Sequence, residues 1–163
     1  MPCLSAQYNP AIGPLIGLYV SPPTVMTHSV SGATPSPSPA AGQSSVLTAT
    51  ALIDTGASIT SITRLLAAQA GLPLIGRRSL GTAGGVVSAN LYVADIGVPF
   101  GNVPASSAGS QIHVAGATTA MMQNIPIMEF DCPSPHFKML LGRDIICQGV
   151  FSLAFDQRYV FSL

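Results

Sequence analysis

The chain has 163 residues, of which 48% are hydrophobic and 7% are charged, with six basic and six acidic side chains. Phosphate binding needs a basic patch, so this sparse and balanced charge argues against nucleic acid as a partner, and the high hydrophobic fraction argues against a wholly disordered chain. The length suits one domain with a core of its own, and so few charges favour a surface that a second subunit partly covers.

Membrane anchoring and cysteine chemistry are not indicated by the sequence. The apolar runs fall short of the roughly 18 to 20 residues that span a bilayer, and the first residues lack the positive region and apolar core of a secretory signal. The cysteines are odd in number and form no Cys-x-x-Cys pair, which argues against a disulfide framework or a zinc site; they are Cys3, Cys132 and Cys147. We therefore expect no membrane partner and a reducing, cytoplasmic location.

The first 45 residues contain one clear strand pattern. Residues 1–14 contain three prolines and are predicted to be irregular, whereas the apolar run Leu15–Val20 predicts a strand that two prolines end. A flexible Pro/Ser-rich loop is predicted at about residues 21–45, because SGATPSPSPAAGQSS cannot bury a core. Since the residues before this loop are too few for a domain, we interpret residues 1–163 as a single domain with the loop between two strands.

Asp54 is a carboxylate at the end of an apolar run. Val46–Ile53 predicts a strand, and Gly56 supplies the backbone freedom for a tight turn directly after it. The spacing of apolar residues predicts a helix over Ile59–Ala70, with Ser58 as its N-cap. A carboxylate at such a place is costly to bury unless it is paired or protonated. Asp54 is therefore either a functional acid or a cap of the helix that follows.

The rest of the chain is predicted to consist mainly of short strands. Arg77–Leu80 and Val86–Ile96 predict a hairpin around the glycine-rich turn Gly81–Gly85. Pro99–Ser110 is rich in turn residues, and a helical turn is predicted at Ala117–Gln123. A short helix is predicted at Ile145–Gln148, and further strands, the last two forming a hairpin, are predicted at Gln111–Ala115, Ile125–Phe130, Lys138–Leu141, Val150–Phe155 and Tyr159–Leu163.

Two segments of the chain share one arrangement. An apolar run, Asp54-Thr55-Gly56 and a helix are echoed by an apolar run, Gly142-Arg143-Asp144 and a short helix. The echo is too short for a solenoid repeat. It predicts two halves of one domain, each built as a strand, a sharp turn and a helix.

Three motifs occur in an order that resembles one protein family. Leu52–Ser58 (LIDTGAS) resembles the active-site motif of retropepsin-like aspartic peptidases, the retroviral type. Gly81–Val87 resembles their glycine-tipped flap, and Leu140–Asp144 (LLGRD) resembles their second signature. The resemblance covers about residues 15–163. It implies a mainly β fold, a closed retropepsin-like barrel of the acid protease type with one or two short helices, active as a symmetric homodimer.

The resemblance also implies a role for each matching position. Asp54 would be the catalytic aspartate, and Thr55 would lock the two active-site loops of the dimer together. Gly56 would contact the substrate main chain, and Ala57 would complete this active-site loop. The residues expected in the substrate-binding flap are Ala83, Gly84, Gly85 and Val86. The residues expected to shape and brace the loop behind the aspartate are Leu140, Leu141, Gly142, Arg143 and Asp144.

Two features depart from the viral pattern. Ser58 stands where the viral enzymes carry an acid that pairs with the arginine of the second signature, so the partner of Arg143 is left open. The stretch between Asp54 and Gly142 is also longer than in the viral enzymes. Cellular and bacterial members are often enlarged there, and the chain resembles those members in this respect.

The implied function is that of an aspartic endopeptidase, which hydrolyses peptide bonds through a water activated by paired carboxylates. Two carboxyl groups about 3 Å apart share one proton, as aspartic proteases exemplify. Asp54 is the only aspartate in an Asp-Thr/Ser-Gly setting, so each of two copies is expected to contribute one Asp54. An extended polypeptide would be the substrate. No cofactor or metal is expected, since no acid or cysteine lies at ligand spacing from His28, His113 or His136.

Two alternatives remain open at the level of the sequence. In the first, a retropepsin-fold domain dimerises or binds peptides without cleaving them. In the second, the peptidase processes itself, and the Pro/Ser-rich segment is its substrate or covers its cleft. The intact Asp54-Thr55-Gly56 motif favours an enzyme over the first alternative.

Overall fold

A computed structural model describes residues 2–24, 46–82, 85–100, 118–131 and 134–163 of the chain. Strands make up 61% of these described residues, which also contain two short helices. In chain order the strands are β1 Cys3–Gln7, β2 Leu15–Ser21, β3 Leu47–Ile53, β4 Ser61–Thr63, β5 Leu74–Thr82, β6 Gly85–Phe100, β7 Thr118–Phe130, β8 Met139–Leu141, β9 Val150–Leu153 and β10 Arg158–Ser162. The helices are α1 Arg64–Gln69 and α2 Arg143–Ile146.

Six of the described strands close into a barrel. Their order around it is β2, β3, β8, β4, β7 and β6, and the pairing of β6 with β2 closes the ring. β5 lies outside the ring and pairs with β6, so that β5 and β6 form a long hairpin. The expected mainly β fold, with a closed barrel and two short helices, is confirmed and agrees with the acid protease fold.

The alternation of side chains along β2 and β3 explains why these segments form barrel strands. In β2 the buried side chains are Ile16, Leu18 and Val20. In β3 they are Ala49, Ala51 and Ile53. Successive side chains in a strand point to opposite faces, so each strand gives one apolar face to the core. Full burial of each larger aliphatic side chain stabilises the fold by about 1.5–3 kcal/mol.

A separate sheet of three strands has the order β1, β10, β9. Its aromatic side chains pack on the barrel, with the ring centroids of Phe161 and Phe100 6.1 Å apart. The hydroxyl of buried Tyr159 donates a hydrogen bond to the carbonyl oxygen of Leu15 at 2.5 Å. In the part of the chain that the structure describes, β9 pairs with β10 and with no strand on its other side.

The prediction that residues 1–14 are irregular is wrong for Cys3–Gln7, which forms β1, whereas residues 8–14 form a turn and an isolated bridge. Strand β1 pairs with β10 along its whole length, from Cys3 opposite Ser162 to Gln7 opposite Arg158. The strand depends on a partner at the far end of the chain, and the local prolines give no sign of that pairing.

The helix predicted over Ile59–Ala70 is wrong in its first part. Ser61–Thr63 forms β4, which pairs with β7 on one side and β8 on the other. Helix α1 begins at Arg64, and its N-cap is Thr63 instead of Ser58. Two strand partners, together with β-branched residues that fit a pleated strand, outweigh the helical spacing of the apolar residues.

The helical turn predicted at Ala117–Gln123 is also wrong, because Thr118–Phe130 is one continuous strand paired with β6. The predicted strand Leu15–Val20 and the predicted C-terminal hairpin are confirmed to within a few residues. The predicted strand Gln111–Ala115 and most of the predicted loop at 21–45 lie outside the described residues.

Candidate active site

Asp54 follows the last residue of β3 and begins a tight turn. Its N–H donates to the carbonyl oxygen of Leu141 at 3.0 Å. Its carboxylate oxygen Oδ1 accepts hydrogen bonds from the N–H groups of Gly56 at 2.9 Å and Ala57 at 3.3 Å. The turn therefore holds Oδ1, whereas Oδ2 has no hydrogen-bond partner among the described residues. The side chain is half-buried, and the neighbouring Thr55 is exposed.

Gly142 lies where the second signature crosses the segment that follows the Asp54 turn. A Cβ at this position would lie 2.5 Å from the carbonyl carbon of Ile59 and 2.7 Å from the backbone nitrogen of Thr60. Any side chain would therefore force two backbone segments apart. The N–H of Arg143 donates to the carbonyl oxygen of Ala57 at 2.9 Å, which completes the contact between the two turns.

Thr60 joins the two turns through its side chain. Its hydroxyl, which is fully buried, donates to Asp144 Oδ1 at 2.8 Å and accepts a hydrogen bond from the N–H of Gly142 at 3.1 Å. Its own N–H donates to both carboxylate oxygens of Asp144, at 3.0 and 2.9 Å. The N–H of Ile145 donates to the same carboxylate at 3.0 Å. Asp144 is thus a structural acid that fixes the turn behind Asp54.

The sequence patterns did not single out Thr60, because it fell within the predicted helix. Its β-branched side chain next to Ile59 was the feature of the sequence that favours a strand. In the structure Thr60 lies directly before β4, which begins at Ser61. Of the other second-signature residues, Leu140 and Leu141 lie opposite Leu52 and Ile53 in the β3–β8 register. These two leucines place the second signature directly beside the strand that carries Asp54.

The side chain of Arg143 is exposed and forms no ion pair among the described residues. Ser58, which replaces the viral acid, is exposed as well. In this chain the contact of Arg143 with the Asp54 turn is therefore made by its backbone.

The β5–β6 hairpin carries the residues that were expected to form a flap. Its last described pair is Thr82 opposite Gly85, and Gly85 has a φ of +119°, which favours glycine. The side chain of Val86 is 77% exposed. Ala83 and Gly84 lie outside the described residues.

A pocket of about 380 Å³ lies next to these turns. It is lined by Ser58, Ile59 and Asp144 from the two turns, by Arg78 and Ser79 from β5, and by Pro126 and Met128 from β7. The pocket therefore combines an apolar wall with two hydroxyl groups, one guanidinium group and the hydrogen-bonded Asp144 carboxylate.

A model of the aspartyl protease family matches residues 41–145, a stretch that includes Asp54, the β5–β6 hairpin and the second signature. The chain belongs to the aspartyl protease family. Searches of curated proteins and of solved structures each returned no match. Strands β9 and β10 of this protease lie after residue 145, where the match to the family model ends.

Glu129 of this aspartyl protease chain is bound by three side chains, two from β6 and one from α1. Its Oε2 accepts hydrogen bonds from the Tyr92 hydroxyl at 2.5 Å and Asn90 Nδ2 at 2.9 Å, and its Oε1 lies 3.4 Å from Arg64 Nε. Burial alone raises the pKa of Glu129, but the Tyr92 and Asn90 hydrogen bonds and the Arg64 charge outweigh it and hold this pKa below its usual value. Arg77 Nε donates to Asn90 Oδ1 at 3.0 Å, so the network extends to β5.

Other features of the protease chain bear on cofactors and membranes. Within the described ranges, no group of three or more histidine, cysteine, aspartate or glutamate side chains is arranged to hold a metal ion. None of the helices in the described part of the chain has the length and apolar character needed to cross a membrane.

Proposed function

We propose that the chain is an aspartic endopeptidase whose active form is a homodimer, with one Asp54 from each copy in the catalytic pair. The observation that supports this most directly is the state of the Asp54 carboxylate. Oδ1 is held by the N–H groups of Gly56 and Ala57, while Oδ2 has no partner among the described residues. A fixed carboxylate with one free oxygen suits the activation of a water molecule.

The other acidic side chains favour a second copy as the source of the second carboxylate. Four of them accept hydrogen bonds elsewhere, namely Asp95, Glu129, Asp144 and Asp156. Asp131 is exposed just after the end of β7. A symmetric pair of Asp54 residues on a two-fold axis needs no further acid from the same chain.

In the proposed reaction one carboxylate of the pair accepts a proton from a water molecule, whose oxygen bonds to the peptide carbonyl carbon. The protonated partner carboxyl donates to the carbonyl oxygen as its negative charge develops. The tetrahedral intermediate then breaks its C–N bond: the amine leaves with a proton from the pair, and one hydroxyl of the intermediate returns a proton to the pair as the carboxylic acid forms. Water is the co-reactant, so the step needs no oxidant, reductant or cofactor.

The edge of β9 that pairs with no strand among the described residues supports pairing with a second copy. Strand β9 (VFSL) carries no charged residue, and the side chains of Val150 and Leu153 are 57% and 52% exposed. An unpaired strand edge is a template for pairing with another chain. Antiparallel pairing of β9 with its own copy has two-fold symmetry, the symmetry that an Asp54 pair requires.

The proposed substrate is an extended polypeptide that lies between the active-site turn and the β5–β6 hairpin. Strand-like peptides bind through main-chain hydrogen bonds, and pockets for their side chains provide specificity. The exposed Val86 near the hairpin tip is suited to contact such a peptide.

The test compares the wild type with Asp54→Asn and with the control Asp131→Asn, using a denatured protein as substrate at about pH 4–6, where carboxyl pairs share a proton. We expect cleavage by the wild type and by the control, and none by Asp54→Asn. Sedimentation in the same buffer should give a dimer for all three. A monomer that cleaves peptides would refute the paired site, and a dimer that binds peptides without cleaving them would identify a binding module.

A further inference from the structure

The pocket beside the two signature turns contains one guanidinium group without an ionic partner. Arg78 lines this pocket from β5 and forms no ion pair among the described residues. Its neighbour Arg77 donates to Asn90 and thereby joins the Glu129 network. Successive side chains of a strand point to opposite faces, so the two arginines lie on opposite faces of β5.

The same alternation holds on β7. Met128 lines the pocket, whereas Glu129, the next residue, takes part in the network with Asn90 and Arg64. One face of the β5–β6–β7 sheet therefore carries the Arg64–Glu129 ion pair and Arg77, whose guanidinium already donates to Asn90. The other face carries Arg78, which leaves this guanidinium available to a ligand.

The pocket also contains the carboxylate of Asp144, whose negative charge opposes an acidic ligand, so the preference depends on the hydrogen bonds that each charged group can still form. The two oxygens of this carboxylate already accept hydrogen bonds from Thr60 N, Thr60 Oγ1 and Ile145 N. A carboxylate has about four acceptor positions, so little of this capacity remains. Arg78 is thus the charged group of the pocket that is still able to form new hydrogen bonds.

We propose that this pocket binds a glutamate side chain of the substrate and that Arg78 is the residue that determines this preference. The guanidinium fork matches a carboxylate, to which it donates two parallel hydrogen bonds. The hydroxyls of Ser58 and Ser79 are further donors at the pocket wall, and Met128 with Pro126 provides apolar contact for the CH₂ groups. This inference rests on the proposed peptidase function and specifies its substrate class.

The volume agrees with this occupant. A pocket of about 380 Å³ falls near the lower end of the roughly 300–1,000 Å³ typical of ligand sites. It is large enough for a long side chain together with ordered water. Ser58 is only four residues after Asp54, a stretch that spans at most about 14 Å, so a peptide held at Asp54 can extend a nearby side chain into the pocket.

The experiment first identifies a cleaved peptide with glutamate beside the scissile bond, and then compares Glu, Gln and Lys at each flanking position. At one position we expect the wild type to cleave the Glu peptide with about tenfold higher kcat/KM than the Gln peptide, the size of one charge-assisted hydrogen bond. Arg78→Gln should abolish this ratio, and Arg78→Glu should reverse it in favour of Lys. The matched control Arg77→Gln should keep the wild-type ratio.

A binding measurement separates this inference from the proposed function. The Asp54→Asn protein is titrated with fluorescent Glu, Gln and Lys peptides, and the dissociation constants are compared with those of Asp54→Asn/Arg78→Gln. If the double variant binds the Glu peptide more weakly than Asp54→Asn does, and the Gln peptide equally well, the result supports the pocket even when no peptide is cleaved. Equal binding of the Glu and Gln peptides, preference for Lys by the protein with Arg78, or the same loss with Arg77→Gln would overturn the role of Arg78.

Discussion

Thr60 and Asp144 are 84 residues apart in the chain, and yet the N–H and the hydroxyl of Thr60 both donate to the Asp144 carboxylate. The same hydroxyl accepts the N–H of Gly142, so one buried side chain connects the strand after the Asp54 turn to the second signature. Because these contacts lie directly behind Asp54, the position of the candidate catalytic carboxylate depends on them.

Thr60→Val tests this connection, since valine has almost the same shape and lacks the hydroxyl. It leaves the N–H of Gly142 without its acceptor and removes one donor from Asp144, so we expect unfolding in urea to require about 1–3 kcal/mol less free energy. Thr48→Val changes an exposed threonine of β3 and should stay within about 0.5 kcal/mol of the wild type. Equal stability of Thr60→Val and the wild type would contradict the connection.

Gly142→Ala tests the close crossing of the two turns. Its Cβ would lie 2.5 Å from the carbonyl carbon of Ile59 and 2.7 Å from the nitrogen of Thr60. Both are backbone atoms, which cannot move aside as the end of a flexible side chain could. Overpacking of this kind costs about 1–3 kcal/mol or more. Gly76→Ala is the control, since no atom lies within 4 Å of a Cβ at that position. Thermal unfolding should show a lower Tm for the first variant only.

The hydrogen bonds of Asp95 predict how the free energy of unfolding changes in acid. Its buried carboxylate accepts hydrogen bonds from the N–H of Asn124 at 2.8 Å and from the N–H and hydroxyl of Thr24 at 2.9 and 3.0 Å. Burial by itself raises the pKa of Asp95, but these hydrogen bonds outweigh it and lower this pKa below its ordinary value. The stabilisation is therefore present above the unfolded-state pKa of about 3.9 and is lost as the pH falls through the folded-state value.

Asp95→Asn should accordingly be less stable than the wild type at pH 6, by about 1–3 kcal/mol. The amide NH₂ group would replace a carboxylate oxygen that accepts hydrogen bonds from Asn124 or Thr24, and would place its own donors against theirs. The difference in free energy of unfolding should shrink as the pH is lowered below about 4. Urea titrations at several pH values measure it, with Asp131→Asn as the exposed control. A difference that stays constant down to pH 2 would show that ionised Asp95 is not the stabilising form.

The burial of Tyr159 predicts how the free energy of unfolding changes at high pH. Burial raises the pKa of its hydroxyl to about 12, whereas an unfolded tyrosine ionises near 10. The stabilisation is therefore complete below pH 10 and is lost as the pH rises from 10 to 12. Tyr159→Phe loses the hydrogen bond to Leu15, at a cost of about 1 kcal/mol at neutral pH. Its unfolding free energy should fall less steeply above pH 10 than that of the wild type.

Local sequence was enough to predict the strand that ends at Asp54, because an apolar run followed by Asp-Thr-Gly is a short-range pattern. It failed for β1 and β4, whose strand character depends on β10 and on β7 and β8. Gly142 was recognised by resemblance, but the reason for its glycine is a backbone crossing that only three-dimensional coordinates reveal. The Thr60–Asp144 contact was missed for the same reason, since neither residue has a local partner that would mark it.

The free edge of β9 leads to a prediction about assembly. Lysine on a strand edge opposes pairing with another chain, because its charge would have to be buried in the new sheet. Val150→Lys should therefore shift a β9-paired dimer toward monomer in sedimentation and lower cleavage activity at low protein concentration, with activity recovering as the concentration rises. Val46→Lys, at a comparably exposed valine before β3, should change neither property. A dimer of Val150→Lys as tight as the wild type would place the interface elsewhere on the surface.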